Sequence, residues 1–238
     1  MRLVATEPAK DGSVEAALQI EPKQGWTTYW REPGEAGIPP QITTASGSGL
    51  SIDGIGYPTP KHLVNAEIDE IGYDGPVTFP FSLSPTAKGS FPSSINVNAF
   101  IGLCRNICIP FQGSFEVALI SSRSEAIDKA IIQRAKASLP RPPTSDFEII
   151  SHRLSPDFRR LSLTFRLPHE DGGPAKVIIA GPSGYVYTRV LAAERNGSTF
   201  STDLAIDKLP KGYSPIGKSW TVVAIDEDRA IEAPLAFP

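Results

Sequence analysis

Cysteine, methionine and histidine are scarce in this chain of 238 residues, which holds two Cys, one Met and three His. Two cysteines make no disulfide framework of the kind that staples small secreted domains. His62, His152 and His169 lie far apart in sequence and far from the cysteines, so no set has the four-ligand spacing of structural zinc. No apolar run approaches the ~20 residues that a membrane helix needs. The 23 basic and 26 acidic residues are interspersed and leave a net charge of −3. That pattern excludes the concentrated positive surface on which nucleic-acid binding depends. A nucleophile-elbow motif is missing as well, so hydrolytic catalysis has little support. The opening Met1–Lys10 has no apolar centre, and this numbering therefore contains no signal peptide. A cytosolic protein and one whose leader was removed both fit that start.

What is plentiful is punctuation: 23 Pro and 20 Gly, in a chain 40% hydrophobic and 21% charged. Apolar content of this size supplies real cores, and frequent turn residues predict many short strands. Val14, Ala16, Leu18 and Ile20 alternate with Glu15, Ala17 and Gln19, the period of a half-buried strand. Trp26–Trp30 is aromatic and β-favouring, and Arg31–Pro40 reads as a rigid loop. Val77, Phe79, Phe81 and Leu83 share one strand face, with Pro80 marking an edge or a bulge. Ile95–Cys104 and Cys108–Ile120 read as strands, the second interrupted near Gly113. Ser122 and Glu125 have capping-box spacing, and Ala126, Ile127, Ala130, Ile131 and Ala135 then recur at helical intervals. Pro140 ends that helix and Arg141-Pro142-Pro143 makes a stiff linker. In the second half Leu161, Leu163, Phe165 and Leu167 again alternate, and turns recur every 8–12 residues, as in a sandwich. The expected organisation is all-β: a domain over 1–120, a helix and Pro-rich linker over 121–143, and a second β-sandwich over 144–238.

The candidate chemistry is Leu103-Cys104-Arg105-Asn106-Ile107-Cys108-Ile109-Pro110. On a straight strand the two cysteines would be ~13 Å apart, beyond the ~7 Å between Cα atoms that a disulfide tolerates. If the pair bonds, the flanks favour Cys104 ending one strand and Cys108 opening the next, with Arg105–Ile107 as the turn. A staple this short adds little to a domain with its own core and is readily reduced. Arg105 is placed to favour a thiolate at Cys104. Spacing alone leaves three readings open: redox exchange, a passive local disulfide, and two free or metal-linked thiols. Trp26, Tyr29 and Trp30 suit core packing better than a docking surface. Glu67, Asp69, Glu70 and Asp74 read as a solvated acidic face, and Tyr73, between glycines, as an exposed turn residue.

Three motifs in order then carry a resemblance: Gly25-Trp26-Thr27-Thr28-Tyr29-Trp30-Arg31-Glu32-Pro33-Gly34-Glu35-Ala36-Gly37-Ile38-Pro39-Pro40, Ile71-Gly72-Tyr73-Asp74-Gly75, and Cys104-Arg105-Asn106-Ile107-Cys108-Ile109-Pro110. The first ~120 residues resemble the N-terminal periplasmic domain of the thiol–disulfide interchange protein DsbD. They are closer still to the ScsB-type N-terminal region, whose short cysteine spacing they share; the second half resembles the second β-sandwich of that region. The resemblance implies two immunoglobulin-like β-sandwiches and a redox-active Cys104–Cys108 pair across a hairpin-like turn. It also implies a capping loop at Tyr73 and Asp74, a periplasmic location and no cofactor. Expected partners are a thioredoxin-like domain or a membrane electron-transfer protein on one side and disulfide-bearing periplasmic clients on the other. The transmembrane and thioredoxin-like parts of those proteins lie outside these 238 residues; a whole chain would borrow them from separate partners. The activity implied is thiol–disulfide oxidoreduction, and the competing expectation is a non-enzymatic two-domain binding module with an incidental disulfide.

Overall fold

The computed structural model describes residues 1–34, 37–65, 68–87, 93–119 and 125–238. The chain divides into two compact units, Met1–Leu63 with Glu70–Leu139, and Val64–Asp69 with Pro140–Pro238. Both are built from antiparallel sheets, and the architecture is all-β, two immunoglobulin-like sandwiches with, among the described residues, one α-helix. Among the described residues no helix is long and apolar enough to cross a membrane.

In chain order up to the helix the strands are β1 (Arg2–Ala5), β2 (Val14–Ile20), β3 (Thr28–Gly34), β4 (Gln41–Thr44), β5 (Leu50–Ile55), β6 (Lys61–Asn65), β7 (Ile68–Tyr73), β8 (Val77–Pro85), β9 (Ser94–Cys104) and β10 (Cys108–Ala118). They form sheets ordered β1-β2-β8-β5, β10-β9-β4 and β3-β7-β6. Alternation places Val14, Ala16, Leu18 and Ile20 of β2, and Val77, Phe79, Phe81 and Leu83 of β8, in the core. The buried odd-numbered residues Ile95, Val97, Ala99 and Ile101 of β9 do the same for the second sheet.

Three expectations change here. Strand β8 is interior, not an edge. Pro80 is tolerated because its carbonyl accepts from Gly56 N, just past the last residue of β5. The amide and carbonyl of one strand residue face the same neighbour, so the donor that proline lacks falls where β5 has ended, and the β2 ladder is intact. Strand β10 runs unbroken through Gly113, which pairs with Ala99. Strand β3 continues through Arg31–Gly34, where proline and glycine content predicted a loop; the irregularity sits in its pairing with β7 instead.

Helix α1 (Glu125–Ala137) belongs to the first unit and packs on it, whereas the sequence suggested a connector. Ile132 is sealed against Val4 and Ala17. Ala17 therefore serves a second apolar face, beneath the helix. Arg2 pairs with Asp128 at 2.6 Å, and Lys136 pairs with Glu15. The buried stripe is Asp128, Ile132 and Ala135, rotated from the expected one; Ile127 is exposed. Ser122, the expected cap, lies outside the described residues.

The second unit contains β11 (Glu148–Leu154), β12 (Arg160–Arg166), β13 (Lys176–Ala180), β14 (Val186–Tyr187), β15 (Val190–Asn196), β16 (Thr199–Ala205), β17 (Lys218–Asp226) and β18 (Arg229–Phe237). Sheets β11-β12-β16-β15 and β14-β13-β17-β18 enclose Phe147, Leu163, Phe165, Phe200, Trp220 and Leu235. Asp226 is buried as part of an ion cluster, 2.8 Å from Arg195 Nη1 and 2.9 Å from His169 Nδ1.

Close backbone approach holds β3 against β7. A Cβ at Gly72 would lie 2.2 Å from the Thr28 carbonyl oxygen and 3.0 Å from Tyr29 Cα. We expect Gly72→Ala to destabilise the protein by roughly 1–3 kcal/mol, the usual cost of forcing extra volume into a packed site. Urea unfolding measures this; an unchanged midpoint would contradict the packing described.

Candidate functional site

Cys104 ends β9 and Cys108 opens β10, directly opposite each other in register. Their Cα atoms are 4.1 Å apart and the sulfurs are bonded. Arg105–Ile107 form the reversal between the strands. The backbone N–H and C=O of Cys104 pair with Thr27, at 3.0 and 2.8 Å. Those groups therefore point away from β10, and Cys104–Cys108 is a non-hydrogen-bonded pair, the closer of the two antiparallel spacings. The Thr28 hydroxyl donates to Gly102 O at 3.0 Å. The start of β3 is thus stitched to the last residues of β9.

That stitching delivers Tyr29. Its ring is fully buried between two glycines: a Cβ at Gly102 would come within 3.1 Å of it, and one at Gly37 within 2.8 Å. Its hydroxyl donates to Glu70 Oε1 at 2.9 Å and lies 3.3 Å from Cys108 Sγ. Glu70, on β7, is only 5% exposed. Burial first, then the hydrogen bond and charge of Glu70, push the Tyr29 phenol above its ordinary range. Tyr29 therefore stays protonated and acts as a neutral bridge between a carboxyl group and a sulfur.

The two cysteines are unequal. Cys104 is 3% exposed, whereas Cys108 and the next four residues of β10 are exposed. Cys108 is the solvent-facing residue of the pair. Among the described residues no group of three or more His, Cys, Asp or Glu could hold a metal ion.

The other sequence-derived candidates separate. Arg105 is exposed, and its guanidinium lies over the turn at Gly25, where a Cβ would be 3.6 Å from Nε. Tyr73 is not an exposed turn residue. It ends β7 opposite Thr28, donates its hydroxyl to Pro58 O at 2.8 Å and meets Phe79 edge-on. Glycine on both sides suggested freedom, but strand pairing buries the ring. Asp74 is exposed and bonded to Lys61 at 2.6 Å, which holds its carboxyl below the usual range. Of the supposed acidic face, Glu67 lies outside the described residues and Glu70 is buried. Trp30 is fully buried, as its strand position suggested, and Trp26 is half-buried.

Sequence reasoning missed the pairing of Tyr29 with Glu70. The available signal was the pair of glycines, Gly37 and Gly102, that leave room for the ring. The contact between residues 41 apart in sequence depends on the register of β3 with β7, which no local pattern reveals.

Comparisons with known proteins fit this geometry. The family model described as thiol:disulfide interchange protein DsbD, N-terminal, matches residues 1–119. The chain is similar to the N-terminal periplasmic domain of ScsB from Proteus mirabilis, with 23% identity, 99% of this chain and 91% of that one covered, and a TM-score of 0.80. The periplasmic chaperone SfaE aligns at 10% identity over 99% and 97% of the two chains, with a TM-score of 0.24. The CsuC–CsuE chaperone–tip adhesion subunit pre-assembly complex of Acinetobacter baumannii aligns at 9% over 98% and 95%, with a TM-score of 0.23. Scores that low carry no structural argument. No curated protein matches the chain.

The raised Tyr29 phenol sets an alkaline limit. Folding favours its neutral form, so its contribution to stability is complete below the unfolded tyrosine value of ~10 and is lost as pH rises through the folded value. Tyr57 and Tyr187 are raised too, mainly by burial, and are common to wild type and variant. Urea unfolding of the oxidised protein between pH 8 and 11.5 is expected to show a shallower alkaline loss in Tyr29→Phe than in wild type. Parallel curves would contradict it.

Proposed function

The chain belongs to the family of the N-terminal region of thiol:disulfide interchange protein DsbD, and from that premise we propose that it relays electrons through Cys104 and Cys108. The observation that carries the reading is the asymmetry at the disulfide: an exposed Cys108 in contact with a buried Tyr29–Glu70 pair, and a Cys104 sealed behind it.

A partner thiolate attacks Cys108 Sγ. A partner–Cys108 disulfide forms, the Cys104–Cys108 bond breaks, and Cys104 leaves as a thiolate that takes a proton. The partner's second thiolate then attacks the partner sulfur of the mixed disulfide. The partner leaves oxidised, and Cys108 is released as a thiolate. Two electrons have moved to this chain, which now carries a dithiol. In the next half-cycle Cys108 attacks a client disulfide, and Cys104 resolves the mixed disulfide. Cys108 is thus leaving group in one half-cycle and nucleophile in the other. Both roles need a proton moved at its sulfur. The Tyr29 hydroxyl, between Cys108 Sγ and Glu70 Oε1, is placed to pass that proton to and from the carboxyl group.

The partners proposed are a thioredoxin-like domain or a membrane electron-transfer protein as donor, and disulfide-bearing proteins as clients, in the periplasm. No cofactor beyond the cysteines enters the scheme. The resemblance implies a cap at Tyr73 and Asp74, but the aromatic side chain that touches Cys108 Sγ is Tyr29, whereas Tyr73 is bonded to Pro58 O and Asp74 to Lys61. Tyr73 then acts as the anchor that ends β7 behind Glu70. A binding module with an incidental disulfide would favour sulfurs sealed under core side chains, and the exposure of Cys108 speaks against it.

Single-cysteine variants test the order of attack. With oxidised glutathione, Cys104→Ser, which retains Cys108, should form a mixed disulfide at least about tenfold faster than Cys108→Ser, because exchange rate follows thiol access. Intact-mass time courses give the rates. Equal rates, or faster capture by Cys104, would refute the assignment, and a wild-type pair that cannot be reversibly reduced would refute the relay.

A further inference from the structure

The disulfide lies on one face of the sheet β10-β9-β4. Side chains alternate along a strand, and partners in register share a face. In β9 the odd-numbered Ile95, Val97, Ala99 and Ile101 are buried, so Cys104, Phe100 and Asn98 project from the other face. Cys108, Pro110 and Gln112 of β10 oppose Cys104, Gly102 and Phe100, and Gln41 of β4 opposes Phe100 from the other side. Cys108 therefore shares its face with Pro110, Gln112, Phe100 and Gln41, whereas Ile109 and Phe111 lie on the opposite one. On the Cys104 side this face is covered: Ile38 packs on Gly102, where a Cβ would lie 2.7 Å from Ile38 Cβ. Along β10 it is open, and Cys108, Pro110 and Gln112 are exposed.

The open face carries no charge. Strands β4 and β9, and Cys108–Phe115 of β10, hold no Asp, Glu, Lys or Arg, in a chain that is 21% charged. Burial does not explain this, because Gln41, Thr43, Pro110, Gln112 and Ser114 are exposed. Strand composition does not explain it either: β12, β15 and β16 of the second unit carry Arg160, Arg166, Glu194, Arg195 and Asp203. Depletion of charge around an aromatic residue is the composition of an interface centre. Phe100 is half-buried between Gln41 and Gln112, and an open cavity of about 340 Å³ lies there, lined also by Thr43 and Asn98. Asn98 is held in place by Ser114, whose hydroxyl donates to Asn98 Oδ1 at 2.6 Å. Amides and hydroxyls of this kind pair with uncharged polar groups and backbone. Gln112 is four residues from Cys108, about 13 Å along the strand. A partner of standard size covers about 800 Å² of a protein's surface, a patch wide enough to include Gln112 when centred on Cys108.

Resting on the exchange reading above, we propose that this charge-free face is the platform on which the thioredoxin-like donor rests during exchange, with Pro110, Gln112 and Phe100 as the residues that select it. The covalent step is unchanged: the donor thiolate bonds to Cys108 Sγ, and Cys104 leaves as a thiolate. The platform decides which donor reaches that geometry. A donor with apolar and uncharged polar groups beside its cysteine displaces water from the face at little cost. A donor with a charged group there buries it against Phe100 and the glutamine amides with no counter-charge. The donor surface that faces β10 is therefore uncharged to about 13 Å from its cysteine, the reach from Cys108 to Gln112. A small thiol touches only the sulfur and is indifferent to the platform.

The test compares two dithiols, a reduced thioredoxin and dithiothreitol, as reductants of the oxidised protein. Loss of the Cys104–Cys108 disulfide is followed by mass spectrometry after acid quenching. Gln112 is exposed and outside the path from Cys108 to Glu70. Gln112→Glu and Gln112→Lys should each slow thioredoxin about tenfold or more, because either charge loses water without gaining a partner. Neither should change the rate with dithiothreitol. Thioredoxin rates unchanged in both variants, or equal slowing of dithiothreitol, overturn the platform while leaving exchange intact. Slowing by one sign of charge and acceleration by the other marks long-range steering and overturns it too. So does a wild-type protein that dithiothreitol reduces and thioredoxin does not. Failure of both dithiols to reduce the protein overturns the exchange reading itself.

Discussion

Two backbone hydrogen bonds between Thr27 and Cys104 hold the site together. They join the start of β3 to the end of β9, and everything distinctive about the disulfide follows. They make Cys104–Cys108 a close, non-hydrogen-bonded pair. They lay Tyr29 across Gly102, so that its hydroxyl meets both Glu70 and Cys108 Sγ. They also turn the free backbone groups of Cys108 outward, to the unpaired side of β10. Without that pairing the cysteines would be an ordinary hairpin staple.

The site works by unequal treatment of two chemically identical side chains. Cys104 is buried beneath the β3 connection, and Cys108 stands at the head of an exposed edge strand. The hydroxyl that touches Cys108 belongs to a tyrosine that burial and a neighbouring carboxyl group keep protonated. A phenolate there would repel a thiolate; a neutral phenol can hand a proton either way. Glu70 is buried beside it, 2.9 Å from the hydroxyl, and not on the solvated acidic face that its neighbours in sequence suggest.

Much of this was legible in the amino-acid order. Period-two alternation identified the core faces of β2, β8 and β12, because one buried face imposes its pattern on every second residue. The reversal at Arg105–Ile107 followed from the reach of a disulfide, once bonding was assumed. What escaped the sequence depends on partners distant along the chain. Pro80 suggested an edge or a bulge; the irregularity lies in the β5–β8 pairing at Ile52/Gly54, and where β5 stops decides whether the missing donor matters. Tyr73 looked exposed because glycines stand one residue before it and two after it, yet Gly72 is there so that β7 can press against Thr28. Glu70 looked solvated within a run of acidic residues, and only the pairing of β3 with β7 turns it inward to Tyr29. The helix face was misjudged by one position because Asp128, polar in sequence, is buried against Arg2.

The central claim is that Glu70, through Tyr29, handles the proton of Cys108. The direct measurement is the pH–rate profile of the single thiol in Cys104→Ser reacting with oxidised glutathione, with and without Glu70→Gln in the same background. The account predicts that Glu70→Gln slows the reaction below the ordinary thiol value of ~8.5 and leaves a profile rising toward that value like that of a free cysteine. Superimposable profiles, with the fold intact by circular dichroism, would contradict it.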